Sequence, residues 1–244
     1  MDSSTNSTMV SAGAYFEHYA RLNDLTPDGR RRLWRTYRSV FGTLLPTDRQ
    51  AKIVDVGCAA GQFIEWLRVD LGYKNVHGIE KDERLASFAS SHGIGDIEVC
   101  DLMKWNPPEK CDCLILKDVL EHMPSGQQIE SLRLLSNCLR PGGSLIVRVP
   151  NAGSTFAAHH RYIDVTHFRS YSQYSLRNEL EQAGFVSVAI FAEDVWLPQS
   201  ALGAMRLALK GLARILRRIE AISEYGSEGF KIPLSLNIIA VAKV

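Results

Sequence analysis

From residue 52 onward, short runs rich in Val, Ile and Leu recur between stretches of helical length, and this alternation restricts the chain more than any other feature. The runs fall at 52–57, 75–80, 96–100, 111–116 and 144–149, and the segments 62–70, 82–91 and 125–139 carry the helices between them. The last of these sets Ile129, Leu132, Leu135 and Leu139 on one helical face. Pro124 stands where a first turn tolerates it, and Pro141-Gly142-Gly143 is its stop signal. Strands joined through helices cross over and lie parallel, and a parallel sheet needs both faces covered. A further helix at 173–184, ending on Gly184, precedes strands at 185–191 and 236–242, which makes seven strands in an open α/β sheet.

Composition agrees with one large domain carrying insertions. The chain has 244 residues, 45% of them hydrophobic and 23% charged, which excludes wholesale disorder. A net charge of +1 excludes a globally basic protein, though not a local basic patch. The five cysteines are odd in number and form no Cys-x-x-Cys pair, against both a disulfide scaffold and a thiolate zinc site, so reducing cytosol is the expected location. No segment reaches the roughly 18 consecutive apolar residues of a membrane span. The start of the chain is rich in Ser, Thr and Asn without the features of a signal peptide, and reads as a frayed tail. The expected division is a tail and helical cap over 1–45 and an α/β domain over 46–244, with insertions at 150–172 and 194–233 near the substrate mouth. In open α/β sheets ligands bind outside the carboxyl ends of the strands, which is where the first insertion leaves the sheet.

The loop after the first strand, Asp55-Val56-Gly57-Cys58-Ala59-Ala60-Gly61, opens a helix, and its glycines let backbone approach a ligand closely. Glu80 closes the second strand 19 residues after Gly61, placed to accept hydrogen bonds from a ribose diol. Asp101 closes the third strand, within reach of an adenine amino group at the same edge. Asp55 can take a ligand ammonium or order the loop. Taken singly, Glu80 also reads as a solvated strand-end charge and Asp101 as a helix N-cap. The dinucleotide fingerprint Gly-x-Gly-x-x-Gly fails, because Ala59 and Gln62 stand at its second and third glycines.

These residues resemble the class I S-adenosylmethionine-dependent methyltransferases. The likeness runs on through Lys117-Asp118-Val119-Leu120-Glu121-His122 and Leu139-Arg140-Pro141-Gly142-Gly143, and covers about residues 50–192. Ala59 replaces the family's middle glycine. The resemblance implies a Rossmann-like, mostly parallel seven-stranded sheet with helices on both faces, an antiparallel last strand and helical insertions. It also implies S-adenosyl-L-methionine as cofactor, with Gly57, Ala59 and Gly61 along its methionine part, Glu80 on the ribose, and Asp101 with Leu102 framing the adenine. Asp55, Lys81 and Lys117 complete the expected cofactor-binding set.

For the acceptor, Asn106-Pro107-Pro108 lies after the third strand and lacks the aromatic of base-methylating enzymes, so it reads as a plain turn. The run Arg161-Tyr162-Ile163-Asp164-Val165-Thr166-His167-Phe168-Arg169 is dense in titratable groups. A hydroxyl acceptor must lose its proton as it attacks, and a neutral imidazole with a carboxylate partner suits that task. His167 with Asp164 is the first candidate, then His122; capping or core roles compete for all three. Asp-x-Thr-His here resembles methyltransferases of bacterial surface-polysaccharide and glycolipid assembly. That implies a sugar hydroxyl as acceptor; a quinone- or polyketide-like metabolite is the alternative. No metal-site spacing stands out, so metal-free chemistry is expected.

Within 200–222, Leu202, Met205, Leu209, Leu212, Leu216 and Ile219 recur at spacings of three and four, and Arg206, Lys210, Arg214, Arg217 and Arg218 form a second stripe. With Glu220 the stretch carries +4. Such a helix suits peripheral contact with an anionic inner membrane face, or a lid whose apolar side packs on the sheet domain. With Arg30, Arg31, Arg32, Arg35 and Arg38 it could also grip phosphates, making a basic RNA binder or a non-catalytic partner subunit the third reading. Few aromatics interleave with either cluster, which disfavours nucleic acid.

Overall fold

The computed structural model describes residues 12–194 and 200–244; the Ser/Thr/Asn-rich start lies outside the described residues. Seven strands form one sheet: β1 (Ile53–Val56), β2 (Val76–Glu80), β3 (Ile97–Val99), β4 (Cys111–Lys117), β5 (Leu139–Pro150), β6 (Ser187–Ala192) and β7 (Asn237–Lys243). Their order is β3-β2-β1-β4-β5-β7-β6, and all neighbours run parallel except β7, which is antiparallel to both β5 and β6. The chain runs outward from β1 through β2 to β3 and then crosses back to β4 on the other side of β1, so the carboxyl ends of β1 and β4 flank the crevice where such sheets take ligands.

The helices are α1 (Ala12–Leu22), α2 (Pro27–Phe41), α3 (Gln62–Glu65), α4 (Glu83–Ser91), α5 (Gln127–Cys138), α6 (Ala157–Tyr162), α7 (Gln173–Gln182) and α8 (Ala201–Tyr225). Several starts are written in the local sequence. Thr26, Asp82 and Ser172 accept backbone N–H groups at the first turns of α2, α4 and α7, which satisfies donors the helix leaves orphaned. Leu132 and Leu135 of α5 and Leu176 and Leu180 of α7 are fully buried in the core on one face of the sheet. Phe41, Phe63, Trp66 and Leu67 fill the other. Each such side chain contributes about 1.5–3 kcal/mol relative to exposure.

Two local expectations change. The helix expected over 62–70 is α-helical only to Glu65 and widens into a π turn over Trp66–Asp70. There the Trp66 indole donates to Asp70 at 2.8 Å while its ring packs against Tyr37 and Phe63. And β5 begins at Leu139: Leu139 pairs with Cys111 but Ser144 with Cys113, so residues 140–143 loop out as a bulge inside the strand, with Gly142 at φ 78°.

Part of the charge on the basic segments is paired within the molecule. Arg30 is buried against Glu65 at 3.2 Å, Arg32 pairs with Asp24, and Arg38 with Asp70 at 2.5 Å, while Arg31 and Arg35 stand exposed on α2. On α8 the two stripes are oriented opposite to the lid expectation. Lys210, Arg214, Arg217 and Arg218 turn toward the protein body: Arg214 pairs with Asp194, Arg217 lies 5.3 Å over the Phe156 ring, and Arg218 donates to the Gly229 carbonyl. The apolar stripe faces away, each of its six side chains 56–62% exposed. Among the described residues no helix is long and apolar enough to cross a membrane.

Candidate active site

The backbone after β1 turns through Gly57 (φ 73°), Ala59 (φ 48°) and Gly61 (φ 75°) into α3. The amides of Gly57 and Cys58 donate to the Ile79 carbonyl at 2.8 and 3.0 Å, which ties the loop to β2. A Cβ on Gly57 would stand 2.6 Å from Val119 Cγ2, so glycine is what lets the loop approach the turn after β4. Glu80 is 5% exposed; one carboxylate oxygen accepts from Ala59 N–H and the other from Asp82 N–H, both at 2.8 Å. Glu80 therefore shapes the loop as well as facing the ligand space. Burial raises its pKa against those two hydrogen bonds.

A cavity of about 440 Å³ opens at the carboxyl ends of β1, β2 and β4. Gly57, Ala59, Glu80, Lys81, Asp101, Leu102 and Lys117 of the expected cofactor set lie on its wall. Asp55 and Gly61 do not. Gly61 packs behind the loop, where a Cβ would meet Ile94 at 2.9 Å. Asp55 is 1% exposed and neither of its oxygens is hydrogen-bonded, so it does not order the loop. Burial, with Glu80 and Asp118 reinforcing it and Lys117 opposing it, pushes Asp55 up to about 7. Asp101 caps the turn over Leu102–Lys104, accepting from Met103 N–H at 2.8 Å, and remains exposed at the cavity edge. The capping role weighed for it in the sequence and a place on the ligand wall hold together. An open backbone cradle, a strand-end carboxylate on β2 and an exposed carboxylate after β3 fit the polar groups of S-adenosyl-L-methionine.

At the other end of the cavity the wall is imidazole and carboxylate: His18, His122, His160, His167, Asp118, Glu121 and Asp164. The expected pairing of Asp164 with His167 is not the one the fold builds. Thr166 donates to Asp164 Oδ1 from both its N–H (2.8 Å) and its hydroxyl (2.6 Å), and Oδ2 meets His18 Nε2 of α1 at 3.1 Å. Against its burial, Thr166 and His18 hold Asp164 down to about 2. His167 instead stands edge-on to His122, ring centroids 4.7 Å apart, with its Nδ1 buried and without a partner. Because the Thr166 hydroxyl proton goes to Asp164, its oxygen accepts from His122 Nδ1–H at 2.8 Å, which leaves Nε2 as the bare nitrogen of His122. Burial, with His167 beside it, lowers His122 to about 4 and keeps it neutral.

The sequence did not single out His18, Tyr19, Glu121, Arg148 or His160. Tyr19 donates to Gln62 at 2.9 Å, so α1 reaches from α3 to the 150–172 insertion and roofs the cavity. Arg148 bridges Asp118 and Glu193 and so ties the end of β5 to the turn after β4 and the end of β6. Glu121 is 1% exposed with Oε2 unpartnered, and burial followed by the charge of Asp118 raises it well above the carboxylate range. The Asp/Glu–x–x–Glu–His spacing after β4 was the one signal that could have drawn Glu121 in; nothing local ties position 18 to 164.

Residues 28–190 match the family model described as a methyltransferase domain, which leaves α1 and α8 outside it. The trans-aconitate 2-methyltransferases of Rhizobium rhizogenes and Rhizobium leguminosarum are 28% and 29% identical over 108 residues, 44% of this chain. The matched stretch spans 41% of the length of either relative. In fold, the chain resembles a SAM-dependent methyltransferase from Archaeoglobus fulgidus (TM-score 0.64, 20% identity, 94% of this chain and 99% of that one). It also resembles human N-acetylserotonin methyltransferase in complex with SAM (TM-score 0.64, 16% identity, 96% of this chain and 56% of that one). With the glycine loop, the strand order and the family match in agreement, the chain belongs to the class I methyltransferase family.

Proposed function

We propose that the protein is an S-adenosyl-L-methionine-dependent O-methyltransferase acting on a hydroxyl of a polar, sugar-like acceptor. The observation that carries this reading is the single cavity in which a cofactor wall (Gly57, Glu80, Asp101) meets an imidazole-rich wall (His18, His122, His167). When bound, the cofactor supplies a methyl group on a sulfonium, already a good leaving group, so placing the acceptor in line accounts for much of the acceleration. Lys81 and Lys117 flank the cofactor end, and α1 shields the cavity from water. His122 and His167 line the acceptor end of the cavity. The acceptor proton passes to the imidazole of His18, oriented by Asp164, in the arrangement expected of a histidine–carboxylate base. A quinone-like acceptor fits less well, because imidazoles and carboxylates crowd that end of the cavity.

A second reading is favoured by the relatives named for trans-aconitate: a carboxylate acceptor, which has no proton to lose. Release of S-adenosylhomocysteine, measured against hexoses, nucleotide sugars, glycolipids, quinols and trans-aconitate, separates these. The proposal expects turnover with a sugar hydroxyl that falls steeply in Asp164→Asn while cofactor binding persists. Turnover confined to trans-aconitate and indifferent to Asp164→Asn would replace it with the second reading.

A further inference from the structure

We propose that Glu121, His122 and His167 form a binding site for a divalent transition cation at the acceptor end of the cavity. Each contributes one ligand-type atom, and the three atoms lie within 4.8 Å of one another. Two of the three residues carry a buried polar atom without a partner. Glu121 Oε2 is buried without a hydrogen bond, and so is His167 Nδ1. Buried polar atoms are ordinarily satisfied, and a buried carboxyl group beside two imidazoles, with one oxygen unbonded, is arranged as a ligand rather than as packing. The third is prepared from behind: Asp164 takes the Thr166 proton, Thr166 takes His122 Nδ1–H, and Nε2 is left as a fixed lone pair. Metal-bound histidines are commonly oriented by such a hydrogen bond on the other ring nitrogen.

The backbone also holds the set together. His122 follows Glu121 in the turn after β4, and Phe168 N–H donates to the Glu121 carbonyl at 2.7 Å, which pins His167 beside them. Two imidazoles and one carboxylate suit zinc, iron or manganese rather than magnesium or calcium, whose sites are built from oxygen. Three protein ligands leave positions open for an acceptor oxygen.

The role of the cation rests on the proposed hydroxyl methylation; its binding does not. In that reaction the acceptor oxygen, bound to the cation, forms the new C–O bond as the methyl–sulfur bond breaks. The sulfur leaves as a neutral thioether and the hydroxyl proton goes to His18.

The test uses the tag-free chain stripped with chelator, titrated with Co²⁺ by visible absorption and with Zn²⁺ by calorimetry. S-adenosylhomocysteine binding, measured in parallel, reports on the cofactor reading separately. We expect one cation per chain with d–d bands of nitrogen ligation. Glu121→Gln and His167→Ala should each weaken binding by at least about tenfold, whereas His159→Ala, on the exposed side of α6, should not. A folded wild-type chain that takes up no cation would overturn the proposal, as would equal affinity in wild type and Glu121→Gln.

We further infer that two copies of the chain pair antiparallel through the outer face of α8. The exposed stripe follows a three–four alternation with Ile215 on its flank, a seam of the kind that packs against another helix. The cations a membrane-bound helix would present are turned inward, apart from Arg206. Antiparallel pairing sets Leu202 against Ile219, Met205 against Leu216 and Leu209 against Leu212 of the second copy. It also brings Arg206 toward Glu220 of the second copy; a parallel pair would leave both charges facing Ala201 and Ile215. Sedimentation should show a dimer that Leu209→Glu abolishes without loss of fold, that Arg206→Glu weakens and that Arg206→Glu with Glu220→Arg restores. A dimer indifferent to Leu209→Glu would sink the inference, as would a monomer that floats with phosphatidylglycerol vesicles.

Discussion

Replacing Gly57 by alanine tests the loop geometry in two separable parts. At φ 73° a residue with a Cβ costs about 1–2 kcal/mol from its own backbone. The contact of 2.6 Å with Val119 Cγ2 adds an overlap worth about 1–3 kcal/mol. Ala59, at φ 48° in the same loop, shows that the backbone part alone is tolerated. The expected total is a loss of about 2–5 kcal/mol in urea unfolding, with weaker S-adenosylhomocysteine binding because the loop must retreat from the turn after β4. The double variant Gly57→Ala/Val119→Ala removes the overlapping methyl but not the backbone strain. In a double-mutant cycle it should recover about 1–3 kcal/mol beyond additivity. Gly57→Ala within about 0.5 kcal/mol of wild type, or a cycle that closes additively, would refute the geometry.

Asp55→Asn should change the pH dependence of stability. The folded pKa of about 7 stands above the unfolded 3.8, so the folded chain holds a proton the unfolded chain has released. That contribution is full below about pH 4 and is lost as pH rises through about 7, on the order of 4 kcal/mol at most. The variant should therefore match wild type at pH 4 and exceed it in thermal and urea stability at pH 8; a variant less stable at pH 8 contradicts this. Arg148→Gln leaves Asp118 and Glu193 facing each other without their bridge and should cost about 3–5 kcal/mol in urea unfolding; Arg177→Gln, exposed on α7, serves as the control near zero. Leu135→Ala, in the α5 core, should cost about 2–5 kcal/mol by the same assay.

The sheet was legible because strand and helix periods differ and because β1, β2 and β4 are short apolar runs bounded by turn residues. The glycine loop, Glu80 and Asp101 were legible because ligand chemistry at strand ends leaves a spacing. The Glu80–Ala59 bond was not, since it depends on where β2 lies beside β1. Equally hidden was the partner of Asp164. Position 18 is 146 residues away and no periodicity connects them, whereas His167 sits three residues on but finds the Asp164 oxygens taken by Thr166 and His18. On α8 both stripes were plain in the sequence, but which one faces inward depends on Asp194, Phe156 and the Gly229 carbonyl. Those acceptors lie outside the helix and outvote the usual preference for an apolar inner face.

Calorimetry with S-adenosylhomocysteine measures cofactor binding at the Gly57–Glu80–Asp101 wall directly. One molecule per chain should bind with micromolar affinity, and binding should be lost in Glu80→Ala and weakened in Asp101→Ala while both variants unfold cooperatively. A wild-type chain that unfolds cooperatively yet binds neither S-adenosylmethionine nor S-adenosylhomocysteine would contradict it.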